Sequence, residues 1–242
     1  NQGQTGLINA CRFRRTEVVK LILDHSYSNI DLNAKDDDGL TAFMQACNKD
    51  VVKLILDCPF RNIDLNARSR IGWTAFMKAC SYGRTEVVKL ILDHPNRNID
   101  LNARNENGLT AYMDAYKSGR TDVVKIFLDH PDRNIDLNIR DNNGLNVFTY
   151  ACSVGCIDVA KLILDHPNRN IDLNARDVDG QTAFTYACKF GHTDVVKLFL
   201  DDSTERHIDL NLRGKLMDAC ISEHKDDVKL LLDYSKTLRN TK

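Results

Sequence analysis

Gly3, Gly39, Gly72, Gly108, Gly144 and Gly180 stand 36, 33, 36, 36 and 36 residues apart. A chain that repeats at such a period folds as units stacked on their neighbours, because one unit cannot bury its apolar face alone. A second column keeps the register: Cys11, Cys47, Cys80, Tyr116, Cys152, Cys188 and Cys220. Seven units follow, the first and last incomplete. A connector separates them. Its sequence from Asp93 to Arg104 returns unchanged from Asp165 to Arg176, and the copy from Asp129 to Arg140 differs only at Asp132 and Ile139.

One unit shows the logic. Residues 72–83 read Gly-Trp-Thr-Ala-Phe-Met-Lys-Ala-Cys-Ser-Tyr-Gly. Thr74 is expected to cap a short helix. Phe76, Met77, Ala79 and Cys80 give that helix an apolar face. Gly83 suits the left-handed residue that stops it. Thr85 is expected to cap a second helix, with Glu86 near its positive end. Val87, Val88, Leu90, Ile91 and Leu92 make this helix apolar over most of its circumference, so it must be covered on several sides. Lys89 can pair with Glu86 at three-residue spacing. Pro95 prevents continuation beyond His94. Helices this short are unstable alone in water, so stability must come from stacking. After each connector, runs such as Asp141-Asn142-Asn143-Gly144 and Asp177-Val178-Asp179-Gly180 place Asp first and Gly fourth, as a type I turn prefers. Short extended arms on either side would make a projecting hairpin.

The expected organisation is a single domain over 1–242. An N-terminal capping unit spans 1–34, five internal units span 35–209, and a truncated C-terminal capping unit spans 210–242. Three units depart from the pattern. The second runs Cys47-Asn48-Lys49-Asp50-Val51 where the others carry three more residues, which shortens its inter-helix turn. The last lacks most of its hairpin and has Asp227 where internal units have Val. The first has Arg14 where Gly is usual. Polar, trimmed ends keep a stacked array from sticking end to end.

Composition removes several function classes. Lys plus Arg number 33 against 34 for Asp plus Glu, a net charge of −1, so no nucleic-acid partner is expected. No apolar run approaches the roughly 18 residues that would suggest membrane insertion. The first residues, Asn1 to Thr5, lack a basic stretch leading into an apolar core, so no signal peptide is expected. Packed helices sit about 8–10 Å apart, while a disulfide needs Cα atoms within about 7 Å. The cysteine column therefore reads as free buried thiols, in a reducing compartment, cytoplasmic or nuclear. Cys152 and Cys156 form one turn-flanking pair with no second pair to complete a zinc site. His25, His94, His130 and His166 each follow Asp at a helix C-terminus, where the helix dipole favours a cation. They are replicated rather than set in a unique constellation, which counts against catalysis. No Gly-rich phosphate loop or His-Glu-x-x-His pattern occurs. The reading is a non-enzyme with no cofactor and no metal. Asp100, Asp136 and Asp172 repeat alongside Arg97, Arg133 and Arg169; exposed ladders of such pairs are worth about 0–1 kcal/mol each.

On Gly72, Thr74, Ala79, Gly83, Val87, Val88, Leu90, Ile91, Leu92 and Asn102, and their copies, the sequence resembles the ankyrin repeat family over essentially its whole length. It departs from the family in two ways. Thr-Ala-Phe-Met replaces Thr-Pro-Leu-His, so the family's buried histidine is missing. Met77 and Met113 keep the packing, and Thr149 and Thr185 restore some polarity. The period is mostly 36, with the extra residues in the connector. The resemblance implies an all-α, ankyrin-type solenoid: a right-handed stack of helix-turn-helix units with projecting β-hairpin loops and a concave groove. It also implies that Asn66, Asn102, Asn138 and Asn174 bridge neighbouring hairpins.

Proteins of this kind bind other proteins through hairpin tips and the exposed side of the first helices. Carried onto this chain, the tip positions of the third unit are Arg70, Ile71 and Trp73, with Ser81 and Tyr82 on its first helix. The fourth unit gives Glu106, Asn107, Leu109, Lys117 and Ser118. The fifth gives Asn142, Asn143, Leu145, Ser153 and Val154, and the sixth Val178, Asp179, Gln181, Lys189 and Phe190. The framework columns repeat almost unchanged, whereas these positions vary from copy to copy. Trp73, Tyr82 and Phe190 stand out, because large aromatics are enriched at recognition hot spots. Tyr150 and Tyr186 share a helix column with Gln45, Lys78 and Asp114. They read either as an aromatic ladder on a groove wall or as half-buried packing residues.

The expected function is that of a monomeric interaction module holding a protein or peptide partner. The contact patch is expected to centre on Trp73, Tyr82 and Phe190. Two other classes remain open on sequence: a targeting or adaptor arm of a larger enzyme or channel, and a structural or engineered scaffold without a natural ligand.

Overall fold

The computed structural model describes residues 2–25, 30–46, 48–58, 63–94, 99–128, 135–165, 171–202, 208–211, 214, 219 and 221–240. Among the described residues there are thirteen helices and no strands. The chain divides into two compact units, Asn1–Ile135 and Asp136–Lys242.

The first compact unit holds α1 (Gln2–Arg12) and α2 (Thr16–Asp24), α3 (Ala42–Gln45) and α4 (Lys49–Leu56), α5 (Ala75–Ser81) and α6 (Thr85–Asp93), and α7 (Ala111–Lys117) and α8 (Thr121–Leu128). The first helix of each pair packs on the next, α1 on α3, α3 on α5 and α5 on α7; the second helices pack likewise, α2 on α4, α4 on α6 and α6 on α8. The second compact unit holds α9 (Val147–Ser153) and α10 (Ile157–Leu164), then α11 (Ala183–Phe190) and α12 (Thr193–Asp202), with α13 (Lys225–Asn240) packed on α12.

Sequence sets the helix starts. Thr41, Thr74 and Thr182 accept hydrogen bonds from the backbone N–H of Met44, Met77 and Thr185 at 3.2, 3.2 and 3.3 Å. Each satisfies an amide that the helix leaves without a partner. Asn146 takes the same role on α9, accepting from the Thr149 N–H at 2.9 Å. Thr110 occupies this position on α7 but makes no capping bond, and its buried hydroxyl lacks a partner. Thr85 departs from expectation. It is already inside α6, whose N-cap is Arg84 with no side-chain bond. The Arg84 N–H turns back to the Ala79 carbonyl at 2.9 Å, and its own carbonyl already accepts from Val88 at 2.8 Å. The backbone turn therefore starts this helix without a side chain.

The apolar faces meet between the rows. Val87, Val88, Ile91 and Leu92 of α6 are buried. Phe127 of α8 lies edge-on to Phe76 of α5 at 5.6 Å and to Tyr112 of α7 at 6.0 Å. In the second compact unit, Phe199 of α12 packs on Phe148 of α9 at 5.6 Å and Phe184 of α11 at 5.1 Å. One second-helix ring thus ties together two successive first helices.

The hairpins close without regular strands among the described residues. In each, the first residue donates to the carbonyl four positions on: Asp36 to Leu40, Ser69 to Trp73, Asn105 to Leu109, Asp141 to Leu145 and Asp177 to Gln181, each at 2.9 Å. Where that first residue is Asp or Asn, its Oδ1 also accepts from the amides two and four positions on, as Asp141 does from Asn143 and Leu145. The Asx side chain mimics backbone and fixes the turn. Neighbouring tips are joined by single backbone bonds, Arg70 N–H to Asp38 at 3.0 Å, Glu106 N–H to Ile71 at 3.3 Å and Val178 N–H to Asn143 at 3.0 Å.

Asn66, Asn138 and Asn174 of the asparagine column form bridges, and Asn33 joins them. Asn33, Asn66, Asn138 and Asn174 accept from the backbone N–H of Asp64, Asp100, Asp172 and Asp209 at 2.7–2.8 Å. The connector aspartates also order the backbone: Asp100 and Asp172 accept from the amides of Asn102 and Asn174. Arg97, Arg133 and Arg169 lie outside the described residues. Arg140 and Arg176 pair with Asp172 and Asp209 at 3.1 and 2.9 Å, both exposed.

Cys11, Cys80, Cys152 and Cys188 are buried and form no disulfide, nor do the half-buried Cys58 and Cys156; Cys47 and Cys220 lie outside the described residues. Burial pushes the Cys80 and Cys152 thiols well above their ordinary pKa, Asp114 adding to the effect at Cys80. His25 and His94 are the C-cap residues of α2 and α6, while His130, His166 and Pro95 lie outside the described residues.

Between the helices of a pair, Gly155 has φ +71, and a Cβ there would lie 2.5 Å from Nδ1 of His192. That ring cannot easily retreat, because its Nε2 is 2.9 Å from the Ser153 carbonyl oxygen. Gly119 has φ +70 with nothing near its missing Cβ. Gly155→Ala is expected to cost about 1–3 kcal/mol through left-handed strain plus the lost histidine contact. Gly119→Ala should cost less, from strain alone. Urea midpoints of the two variants check the difference.

Candidate protein-binding surface

Five variable positions of the third sequence unit have different fates. Arg70, Ile71 and Tyr82 are exposed, the last two at 57% and 56%, and Trp73 is half-buried. Ser81 is buried and its hydroxyl lies 3.1 Å from that of Ser118, linking α5 to α7. The hairpin sets this arrangement. Ser69 takes the Trp73 N–H on its hydroxyl at 3.1 Å and donates its own N–H to the Trp73 carbonyl. This anchors the backbone from which the indole projects.

Arg70, Ile71, Trp73 and Tyr82 come together. With Asp38, Leu40, Ser69 and Lys78 they line a depression of about 310 Å³. A second depression of about 230 Å³ adjoins it, sharing Lys78 and Tyr82 and reaching Arg12, Met44, Gln45, Ala46, Ala75, Ala79 and Arg84. Sequence reasoning missed Arg12, Lys78 and Arg84 as site residues. The one signal for them was the three-residue deficit of the second unit.

In the fourth sequence unit Glu106, Asn107, Lys117 and Ser118 are exposed, but Leu109 is buried. Its N–H donates to Asn105 Oδ1 at 3.0 Å. In the second compact unit Asn142, Asn143, Val154, Val178, Asp179, Lys189 and Phe190 are exposed, and Leu145, Ser153 and Gln181 are half-buried.

Tyr150 is buried, and its hydroxyl donates to Asp141 Oδ2 at 2.7 Å. Tyr186 is half-buried and donates to Asp177 Oδ2 at 2.6 Å. The same helix-to-hairpin tie appears in the first compact unit as Asn105 Nδ2 donating to Asp114 Oδ2 at 3.1 Å. These side chains lock each hairpin to its first helix, so the tyrosine column is framework rather than an open ladder. Burial and then the Asp177 carboxylate push the Tyr186 phenol above its ordinary pKa. Burial likewise raises Asp114, with Lys117 and Asn105 opposing.

One aromatic surface does form in the second compact unit. Phe190, 48% exposed, stacks on Tyr186 with ring centres 5.9 Å apart and planes 21° apart. The Lys189 ammonium lies 5.9 Å from the Phe190 ring centre. The ring therefore sits on a fixed base and is still about half exposed.

No group of His, Cys, Asp and Glu able to hold a metal occurs among the described residues, and no described helix is long and apolar enough to cross a membrane.

A family model described as ankyrin repeats in three copies matches residues 1–69, 60–141, 96–177, 130–213 and 169–241. The search of curated proteins gives no match. Among solved structures, EF0377, an ankyrin repeat protein, shares 28% identity and a TM-score of 0.68, covering 80% of this chain and 95% of that one. The ankyrin repeat domain of Bcl-3, a member of the IkappaB protein family, shares 22% identity and a TM-score of 0.70, covering 81% and 84%. The second likeness is one of fold alone.

Proposed function

We propose, from the premise that the chain belongs to the ankyrin repeat family, that it holds a protein or peptide partner on its hairpin tips and first helices. Ankyrin repeats are generally protein–protein interaction modules rather than enzymes, and no catalytic role is part of the proposal. The observation that carries it is the clustering of Arg70, Ile71, Trp73 and Tyr82 around one depression. Their hairpins and helix are already fixed by hydrogen bonds, so little ordering entropy opposes binding. The Phe190 surface offers a second aromatic contact in its own compact unit. The chain is taken to act as a monomer in a reducing compartment, where its free thiols are at home.

A cross-linking experiment tests this. A photoreactive amino acid is placed at Tyr82 or Phe190, and in control proteins at Glu86 or Lys197 on the exposed face of the second helices. Adducts from cell extract should form at the first two positions and not at the controls. Trp73→Ala with Tyr82→Ala should leave the helical circular dichroism intact and weaken capture by about 2 kcal/mol or more, as hot-spot losses do. Adducts confined to Glu86 or Lys197 would overturn the assignment of the face.

A further inference from the structure

We infer that the first compact unit carries an anchor pocket for an acidic peptide segment of a protein partner, carved by the three residues missing from the second sequence unit. This rests on the reading that the hairpin-and-first-helix face binds protein.

The deficit has a structural consequence. α3 is four residues long, Ala42–Gln45, where α5, α7 and α9 have seven and α11 eight. Ala46 leaves the helix with φ −67 and ψ 105, and Asn48 already caps α4 by accepting from the Val51 N–H at 2.8 Å. Helix length grows by about 1.5 Å per residue. The last turn that the other first helices possess is therefore absent between α1 and α5. The smaller depression lies there. Met44, Ala46, Ala75 and Ala79 are its apolar floor, and all four are buried. Arg12 at the end of α1, and Lys78 and Arg84 on either side of Tyr82, stand around it.

Charge selects the occupant. The two adjoining depressions carry Arg12, Arg70, Lys78 and Arg84 against a single carboxylate, Asp38, in a chain whose net charge is −1. Nε of Arg84 is buried without a hydrogen-bond partner, and such a donor favours an acceptor brought by a ligand. The Arg12 guanidinium lies 5.9 Å from the Phe13 ring centre, which holds it near the end of α1. The fitting segment places one apolar side chain on the Met44 and alanine floor. Its Asp or Glu carboxylates then flank that side chain, facing Arg84, Lys78 and Arg12. Trp73 and Ile71 cover the continuation toward the hairpin tips. Three cations around an apolar floor, with Arg70 in the adjoining depression, suit a short peptide better than a nucleic-acid backbone, which rewards long basic tracks.

The test is selection of a displayed library of random peptides, each about twelve residues long, on the full chain. Recovered peptides should be enriched in Asp and Glu around one apolar residue. Synthetic copies should bind by fluorescence anisotropy, about tenfold or more weaker to Lys78→Gln plus Arg84→Gln. Inserting three residues after Ala46 to restore the common repeat length should abolish binding, with a thermal melt confirming that the variant folds. If the insertion variant does not fold, the charge variant decides alone. Recovery of neutral or basic peptides, or acidic peptides indifferent to Lys78 and Arg84, would overturn the acidic-anchor inference while Tyr82-dependent binding kept the wider reading. Peptides indifferent to Tyr82→Ala, or preferential capture of single-stranded oligonucleotides, would overturn both.

Discussion

Phe127→Ala is expected to destabilise the first compact unit by about 3–5 kcal/mol, the range for truncating a buried Phe. Its ring is 1% exposed and meets Phe76 and Tyr112 edge-on. Each edge-to-face contact adds about 0.5–1.5 kcal/mol beyond burial. The loss is large because the ring bridges two successive first helices, α5 and α7, which are too short to persist on propensity alone. Phe190→Ala removes the same side chain from an exposed position and should change stability by no more than about 0.5 kcal/mol. Urea melts of both variants, followed by circular dichroism, provide the comparison. Equal midpoints would contradict the packing scheme. Phe127→Leu should recover part of the loss, since it restores volume without the ring edges.

Most of that scheme was legible in the sequence, and for a physical reason. Helical periodicity recurs in every unit, and threonine caps and glycine stops in most of them, so each expectation was tested against several copies. The asparagine bridges were legible through the family resemblance. The differences arise where a variable position belongs to the hairpin-to-helix framework. Leu109 varies between copies yet is buried. Tyr150, open on sequence between a ladder and a packing role, is buried with its hydroxyl on Asp141 nine residues earlier. A helix column read in isolation does not show such a partner. Thr85 was misjudged because the backbone of Arg84, not a side chain, begins α6. Arg12, Lys78 and Arg84 were missed for the opposite reason. Their grouping depends on what the second unit lacks, and an absence shows its effect only when its neighbours are placed in space. Arg14 was legible as an oddity; the structure gives it φ 56, the left-handed region its glycine counterparts occupy.

Asp227→Val is the change expected to raise stability most. The sequence suggested that Asp227 belongs to a polar end of the array. Instead it is 0% exposed. It occupies the column of Val51, Val87, Val123, Val159 and Val195, all of which are buried because this position faces the packed side of the second helix. Neither carboxylate oxygen has a well-placed hydrogen-bond partner. Burial raises the carboxyl's pKa, and Thr193, His224 and His192 draw it only part of the way back, with Asp226 opposing them. The sign of the pH dependence follows. An unfolded Asp titrates near about 3.9. The folded chain keeps this proton to a higher pH, so between the two values it binds more protons than the unfolded chain, and stability falls as pH rises. Above the raised value the full penalty remains. Asp227→Val should therefore gain about 1–3 kcal/mol at neutral pH, the cost of a buried unsatisfied polar group. The advantage should shrink below pH about 4, where the wild-type carboxyl is neutral in both states. Asp227→Asn separates the two contributions: it removes the charge and keeps the polarity, so its gain should follow the pH-dependent part alone. Urea melts of the three proteins at acidic and neutral pH decide the matter. A Val gain that stays constant with pH would mean that the carboxylate is ionised without penalty, and that its burial against α12 is incomplete in solution.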